Sequence, residues 1–157
     1  MASNAVSGVG TEFRRWNTTL SAWEQLAEIS SITGPTMTRD FIDVTSLDST
    51  GGYREFITGF RDAGTISLAM NFTRDTYDAF KADFESPTAN YYEIVLSDVE
   101  NTTLEFEGLV TEVPITIPTD DKITADVTIK ISGQVTINSG SFTDVPSAGW
   151  EDAVTQA

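Results

Sequence analysis

The sequence of 157 residues contains no cysteine and no histidine. Without thiols, the chain forms no disulfide bond and offers no thiolate as a nucleophile or metal ligand. Without imidazole, it lacks the commonest acid–base group, and every Ser-His-Asp arrangement is excluded. We therefore predict that the protein is not an enzyme and that it requires no metal and no other cofactor.

Basic residues are also scarce, because nine lysines and arginines stand against 24 aspartates and glutamates, a formal net charge of −15. This balance opposes the phosphate neutralisation on which nucleic-acid binding depends, and it opposes adhesion to anionic membranes. No apolar run is long enough to span a membrane, and the first residues, Met-Ala-Ser-Asn-Ala, do not have the pattern of a secretory signal. We expect a soluble, acidic, intracellular protein of one domain.

The clearest element is a strand over residues 123–131, in which apolar and polar residues alternate strictly. Such alternation, with many β-branched residues, is typical of a strand with one buried face. Gly133 interrupts the pattern, which Val135 and Ile137 resume, so we predict one long strand with a bulge at the glycine. Shorter patterns predict strands at 41–47, 65–72, 91–96 and 103–113, and an edge strand or connector at 115–117.

One amphipathic helix is predicted, because Tyr77, Phe80 and Phe84 recur at spacings of three and four residues. Asp75 is its predicted N-cap, and Ser86-Pro87 ends it. The stretch 21–29 is ambiguous, since its capping-box pattern and its apolar spacing favour a short helix over a strand on local grounds. The chain is therefore expected to be mainly β, with one helix between strands.

Pairs of carboxylates are the candidates for acid–base or Ca²⁺-binding chemistry. Glu105 and Glu107 lie two residues apart and so share one face of their predicted strand. We interpret them as part of a solvated acidic face, and Asp120 with Asp121 as turn residues. The other pairs are Asp40 with Asp43 and Glu151 with Asp152.

An apolar cluster follows two adjacent glycines in a stretch that is rich in turn residues. It allows two interpretations: a hairpin whose aromatic rings pack on the chain's own core, or a mobile loop that buries them against another subunit. A nucleotide-binding loop is disfavoured, because no GxxxxGK[ST] motif is present. The glycines and apolar residues are Gly51, Gly52, Tyr53, Phe56, Ile57 and Phe60.

Several segments together resemble the tail tube (major tail) proteins of long-tailed bacteriophages. They are GPTMTRDFIDVTSLDS at 34–49, GGYREFITG at 51–59, DAGTI at 62–66, PTDDKI at 118–123 and ISGQVT at 131–136. No one motif is diagnostic, but their order and spacing together are specific. The likeness extends over residues 8–137.

This resemblance implies a β-sandwich or small-barrel protomer with one flanking helix. Six protomers would form a ring with a continuous inner β-barrel, and stacked rings would form a hollow tube through which DNA passes without specific binding. Composition, not the resemblance, predicts a domain at 11–137 between a flexible arm at 1–10 and an extended arm at 138–157. The family makes 22–32 a strand, and we follow the family, because tertiary context overrides local propensity.

In such a tube, the glycine-rich loop at 48–64 becomes the contact between subunits. We interpret the polar faces of two strands as facing the lumen, with the candidates Glu105, Glu107, Thr124, Asp126, Thr128 and Lys130. The expected partners are further copies of the chain and the tape measure, tail tip and terminator proteins, with no membrane. The expected location is the virion tail, after assembly in the host bacterial cytoplasm.

Two alternatives stay open at this point. One is a tube subunit of a type VI secretion-like injection system, which would share the ring. The other is a β-fold module for virion decoration or binding.

The absence of a metal requirement is testable by thermal melting with and without a chelator. We expect the same melting temperature in both, because the sequence has neither thiolate nor imidazole ligands. A clear drop on chelation would show that an acidic cluster, with Asp120 and Asp121 as first candidates, holds Ca²⁺.

Overall fold

The computed structural model describes residues 5–26 and 28–138. These residues form ten β-strands and one α-helix. The first five strands are β1 (Glu12–Asn17), β2 (Ala22–Leu26), β3 (Ile29–Thr33), β4 (Thr38–Asp43) and β5 (Phe56–Asp62). After β6 (Thr65–Asn71) come the helix α1 (Arg74–Glu85) and then β7 (Asn90–Val95), β8 (Thr103–Glu112), β9 (Ile115–Thr116) and β10 (Thr124–Asn138).

Eight of these strands join into one antiparallel sheet. Its order is β2-β1-β7-β8-β10-β6-β3, with β9 added beside β10. One face of the sheet carries the hydrophobic core, and α1 packs on that face across β8. The strands β4 and β5 form a separate two-stranded hairpin. The predicted mainly β sandwich with one flanking helix is therefore confirmed.

The core is built from rows of alternating residues that meet across neighbouring strands. Phe13 of β1 lies opposite Ile94 of β7, and Tyr92 of β7 lies opposite Phe106 of β8. The ring of Tyr92 stacks on Phe13 and on Phe106 with centroid distances of 5.7 Å, and Phe80 of α1 lies 6.2 Å from Phe13. Burial of each such side chain contributes about 1.5–3 kcal/mol, so this cluster fastens the helix to the sheet.

Strand β10 is the longest element, with 15 residues. It pairs with β6 along one side and with β8 and β9 along the other. Gly133 has a φ of +87°, and the register with β8 shifts between Ser132 and Thr136. The predicted long strand with a bulge at the glycine is confirmed.

The predicted helix is present, but two of its details are wrong. Thr73, not Asp75, is the N-cap residue, and Asp75 lies in the first turn, where its charge favours the helix dipole. Phe84 is 52% exposed, because the buried face of α1 passes through Thr76, Phe80 and Asp83 instead.

The locally ambiguous stretch is extended, as the resemblance implies, so the local preference for a helix is wrong. It forms β2 and β3, which pair with β1 and β6 respectively. Trp23 meets Trp16 of β1 edge to face at 5.4 Å, and Leu26 lies opposite Phe13. These long-range contacts decide the conformation, and a capping-box pattern cannot foresee them.

A polar network lies between α1 and the sheet. Arg15 of β1 donates two hydrogen bonds to Asp83 of α1, with Nε 2.6 Å from Oδ2. The Tyr92 hydroxyl donates to the same Oδ2 at 2.6 Å. The hydrogen bonds to Asp83 raise the pKa of Arg15, and burial raises the pKa of Tyr92. Both donors therefore stay protonated, and the carboxylate fixes the helix on β1 and β7.

The predicted arms fall mostly outside the part of the chain that has been described. Residues 5–10 of the N-terminal arm contain no strand or helix, and the Ser97 hydroxyl donates to the carbonyl of Ser7 at 2.8 Å. Asn138, the first residue of the predicted C-terminal arm, is the last residue of β10, and residues 139–157 lie outside the described residues. The boundaries and the flexibility of the arms stay predictions.

Replacement of Asp83 by alanine removes the acceptor for Arg15 and Tyr92. We expect a loss of about 3–5 kcal/mol in the free energy of unfolding, the cost of breaking a buried ion pair from one side. Denaturant titration of the dilute chain measures this loss. As a control, Lys81→Ala removes an exposed ion pair with Glu85 on the same helix and should change little. An equally small effect of both variants would contradict the role of Asp83.

Candidate assembly surfaces

The hairpin of β4 and β5 stands apart from the main sheet and presents two apolar faces. Phe41 lies opposite Thr58, and Ile42 lies opposite Ile57. Because directly opposite residues share a face and neighbours along a strand alternate, Phe41 and Phe56 lie on one face, and Ile42 and Ile57 lie on the other. Phe60 lies beyond a register shift in the pairing, where this alternation assigns no face. All five side chains are between 51% and 88% exposed.

The sequence predicts a mobile loop over 48–64, and the structure corrects this for residues 56–62. These residues form β5, so Phe56, Ile57 and Phe60 are strand residues. Gly51 and Gly52 lie in a helical turn at the hairpin tip, with φ values of +70° and +73°, which favour glycine. The chain thus forms the hairpin of the first interpretation, but its aromatic rings do not pack on the core that the described residues form.

The hairpin tip is held by its own hydrogen bonds. The backbone N–H of Val44 donates to the carbonyl of Glu55 at 2.9 Å, and the N–H of Glu55 donates to Thr45 Oγ1 at 2.8 Å. Ser49 donates from its hydroxyl to the Glu55 carboxylate at 2.9 Å and accepts from the N–H of Ser46 at 3.0 Å. Tyr53, which is 77% exposed, follows this closed turn.

The neck of the hairpin is fixed to β10. The N–H of Ile131 donates to the carbonyl of Gly64 at 3.0 Å, and Lys130 Nζ lies 2.8 Å from Asp62 Oδ1. Hydrogen bonds from Lys130 and from the N–H of Gly64 lower the pKa of Asp62. A Cβ atom at Gly64 would overlap the carbonyl oxygen of Thr36, so close approach of the two ends of the hairpin requires glycine there. These contacts set the direction in which the hairpin projects.

A second surface is the sheet face that lies opposite the core. Four of the predicted lumen residues alternate along β10 and share this face, and Glu107 joins them because it lies opposite Ser132. Asp126 is exposed, and the others are half-buried. Lys130 is already paired with Asp62. The four residues of β10 are Thr124, Asp126, Thr128 and Lys130.

Glu105 lies on the same face but is only 3% exposed. It lies opposite Glu93 of β7, and Glu93 lies opposite Arg14 of β1. Because Glu105 is buried, it lacks the access to solvent that a lumen position requires. The predicted lumen set is therefore reduced to its five other members, and their orientation toward a lumen stays a prediction.

Glu93 and Arg14 are features that the sequence analysis missed. Glu93 is 1% exposed, its Oε1 lies 3.6 Å from Arg14 Nη1, and that oxygen accepts no hydrogen bond from the described residues. Arg14 also lies 2.6 Å from the carboxylate of Glu12. Only the strand register brings these three charges together, so spacing along the chain could not have found them.

Other kinds of site receive no support from the described part of the chain. Within residues 5–26 and 28–138, no three carboxylates come together in a way that could hold a metal ion. In the same residues, no helix has the length and apolar character to cross a membrane. The predicted pair Glu151 and Asp152 lies outside the described residues.

The family model of the lambda phage tail tube protein matches residues 7–138. The chain belongs to this family. Tail tube proteins are structural subunits, so the family confirms the prediction that the chain is not an enzyme. Its place is the tail tube of a phage-like particle. No protein with a curated description is matched significantly.

Solved structures of tail and injection tubes share the fold. A subunit from the tail of an empty gene transfer agent particle, refined with C6 symmetry, has a TM-score of 0.71 at 20% identity, covering 85% of this chain and 99% of that chain. The SPP1 tail tube has a TM-score of 0.67 at 7% identity, covering 89% and 82%. The sheath–tube complex of an extracellular contractile injection system has 0.67 at 12% identity, covering 88% and 94%.

Burial raises the pKa of Glu93 to about 7. The nearby charge of Arg14 lowers this pKa, whereas the charges of Glu105 and Glu12 raise it further. Between the ordinary pKa of 4.5 and this value, the folded tail tube subunit holds a proton that the unfolded chain releases. Stability should therefore fall as the pH rises from about 4.5 to 7, by on the order of 2–3 kcal/mol.

The variant Glu93→Gln should lose this decline and be the more stable chain at neutral pH, since Arg14 keeps Glu12 as its partner. Denaturant titrations of dilute protein across this pH range measure the difference. The control Glu112→Gln, at an exposed position on β8, should follow the wild-type profile. A wild-type profile in Glu93→Gln would contradict the assignment.

Proposed function

We propose that six copies of the chain close into a ring and that rings stack into a hollow tube that conducts DNA during ejection. Membership of the tail tube family supports this proposal, as does the fold shared with a tail that was refined with C6 symmetry. The single observation that carries it is the hairpin of β4 and β5, whose apolar side chains on both faces are left to water by the described part of the chain. A surface of this kind marks a site of protein–protein contact.

The hairpin is suited to this contact because it is already shaped in the single chain. Its tip is closed by hydrogen bonds and its neck is fixed to β10. The hairpin therefore loses less conformational entropy on binding than a mobile loop would lose. Contact on both faces at once would place the hairpin between two neighbouring surfaces, which stacked rings of subunits provide.

The sheet also has open edges that would serve ring closure. In the described residues, β2 pairs with β1 alone and β3 pairs with β6 alone, so each leaves backbone groups for a neighbour. Joining edges from copy to copy would satisfy these groups and produce the continuous inner barrel.

The polar sheet face is our candidate for the wall of the lumen. It carries Thr124, Asp126, Thr128, Lys130 and Glu107. A wall that is mostly hydroxyl and carboxylate repels phosphates, whereas a basic wall would bind a moving duplex and slow it. The net charge of −15 agrees with passage of DNA without specific binding.

Partners beyond the chain itself are expected at the ends of the tube. Neighbours in fold come from assemblies that are described as a baseplate and as a sheath/tube terminator. We propose the corresponding contacts with tail tip, terminator and tape measure proteins, and assembly in the host cytoplasm. The fold is also shared with contractile injection tubes, but the family match favours a phage tail tube over this alternative and over a decoration module.

Phe56→Asp should leave the subunit folded and stop polymerisation, because the ring is exposed in the single chain and would be buried in the tube. Negative-stain microscopy and pelleting measure tube yield, and thermal melting checks the fold. Phe84→Asp is a matched control, since this phenylalanine on α1 is 52% exposed against 54% for Phe56. Unfolding of Phe56→Asp, normal tubes from it, or equal loss of tubes from Phe84→Asp would each contradict the proposed contact.

A further inference from the structure

Most of the few basic residues of the chain are paired with its own carboxylates. Six of the nine form ion pairs, including Arg15 with Asp83 and Lys130 with Asp62. The remaining three, Arg39, Arg61 and Lys122, form no ion pair with any residue that the structure describes. In a chain with 24 carboxylates, an unpaired cation is free to bind an acceptor on another molecule.

Arg39 and Arg61 are exceptional in a second way, because they lie directly opposite each other in the hairpin. Directly opposite residues share a face, so two exposed arginine side chains leave the hairpin on the same side. Like charges in this position destabilise a pair of strands. The arrangement costs stability in the single chain, and it places two planar, five-donor groups where one carboxylate-rich surface can reach both.

The arginine pair borders an open cleft of about 790 Å³ between the hairpin and β10. Met37 and Phe60 supply apolar surface to this cleft, and the bulge from Gly133 to Val135 also lines it. The cleft therefore combines two cations with apolar surface. That combination fits an acidic protein segment that also carries apolar side chains.

We propose that Arg39 and Arg61 together bind carboxylates on a second copy of this chain, and that they orient the hairpin on that copy. This rests on the proposed function, which supplies the neighbouring copy. Charge complementarity selects the occupant, because every further copy carries a net charge of −15. Exposed carboxylates such as Asp75, Glu100 and Asp120 leave acceptors on its surface. Guanidinium groups bind carboxylates through two parallel hydrogen bonds, which adds direction to the attraction.

DNA is the less favoured occupant. A duplex would have to approach two arginines against the repulsion of the surplus carboxylates of the whole chain, and phosphate binding needs many neutralising contacts. A second copy of the chain meets repulsion as well, but burial of the apolar faces of the hairpin in the same contact offsets it, which DNA does not provide.

The test compares the wild-type chain with Arg39→Gln/Arg61→Gln and with the control Arg74→Gln/Lys122→Gln. The control removes the same two charges at exposed sites away from the hairpin. The critical concentration for tube formation is measured by pelleting, with microscopy of the product. At about 0.1 M salt we expect the hairpin variant to need roughly tenfold more protein than wild type, and the control to match wild type. At about 1 M salt the ratio should shrink toward one, because screening removes the attraction that distinguishes them.

The melting temperature of the dilute chain provides an independent test of the inference. The hairpin variant should melt at or slightly above the wild-type temperature, because it relieves repulsion between opposite strands. A lower melting temperature would show that the arginines are bound within their own chain and would overturn the proposal.

The remaining outcomes distinguish failure of the proposed function from failure of the inference about Arg39 and Arg61. If wild type forms no tubes under any condition, the proposed function itself fails. If wild type and hairpin variant form tubes equally at both salt concentrations, the arginine inference alone fails. If the hairpin variant keeps normal assembly but loses binding of a labelled DNA duplex, the pair binds phosphates and the inference is likewise overturned.

Discussion

Backbone pairing along β10 holds the molecule together, because this strand lies between β8 and β6 and so joins the two parts of the eight-stranded sheet. Its buried residues, Ala125, Val127, Ile129 and Ile131, run through the centre of the core. The same strand fixes the neck of the hairpin through Ile131 and Lys130. Weakening β10 would therefore loosen the core and misdirect the assembly surface together.

The parts of the fold that could be predicted are the strands whose own residues show which face is buried. The alternation in β10, β6 and β8 is visible along the chain because one face of each is buried. β1 was not predicted, since adjacent Arg14 and Arg15 break its alternation. The structure shows why both are tolerated: Arg14 pairs with Glu12 and Glu93 on one face, and Arg15 reaches Asp83 under the helix on the other. The local prediction for β2 was wrong for a related reason, because pairing with β1 determines its conformation.

The candidate site also has a part that could be predicted from the sequence and a part that could not. The apolar content of 48–64 pointed to a contact surface, and the hairpin exposes those residues. What the sequence could not supply is register. Neither the pairing of Arg39 with Arg61 nor the row of Arg14, Glu93 and Glu105 follows from any spacing along the chain. For the same reason Glu105 looked like a surface residue from alternation alone, although it is buried in the folded chain.

The arginine pair also bears on the kind of assembly that the hairpin permits. Two identical hairpins that met through this face would bring their arginines together, so a symmetric dimer through it is disfavoured. Contact with an acidic surface elsewhere on a neighbour joins two different patches, and contacts of that type close into rings or continue into filaments. A net charge of −15 meanwhile keeps single chains apart until such a contact forms. The repulsion that makes the free hairpin less stable therefore selects the head-to-tail association that a tube requires.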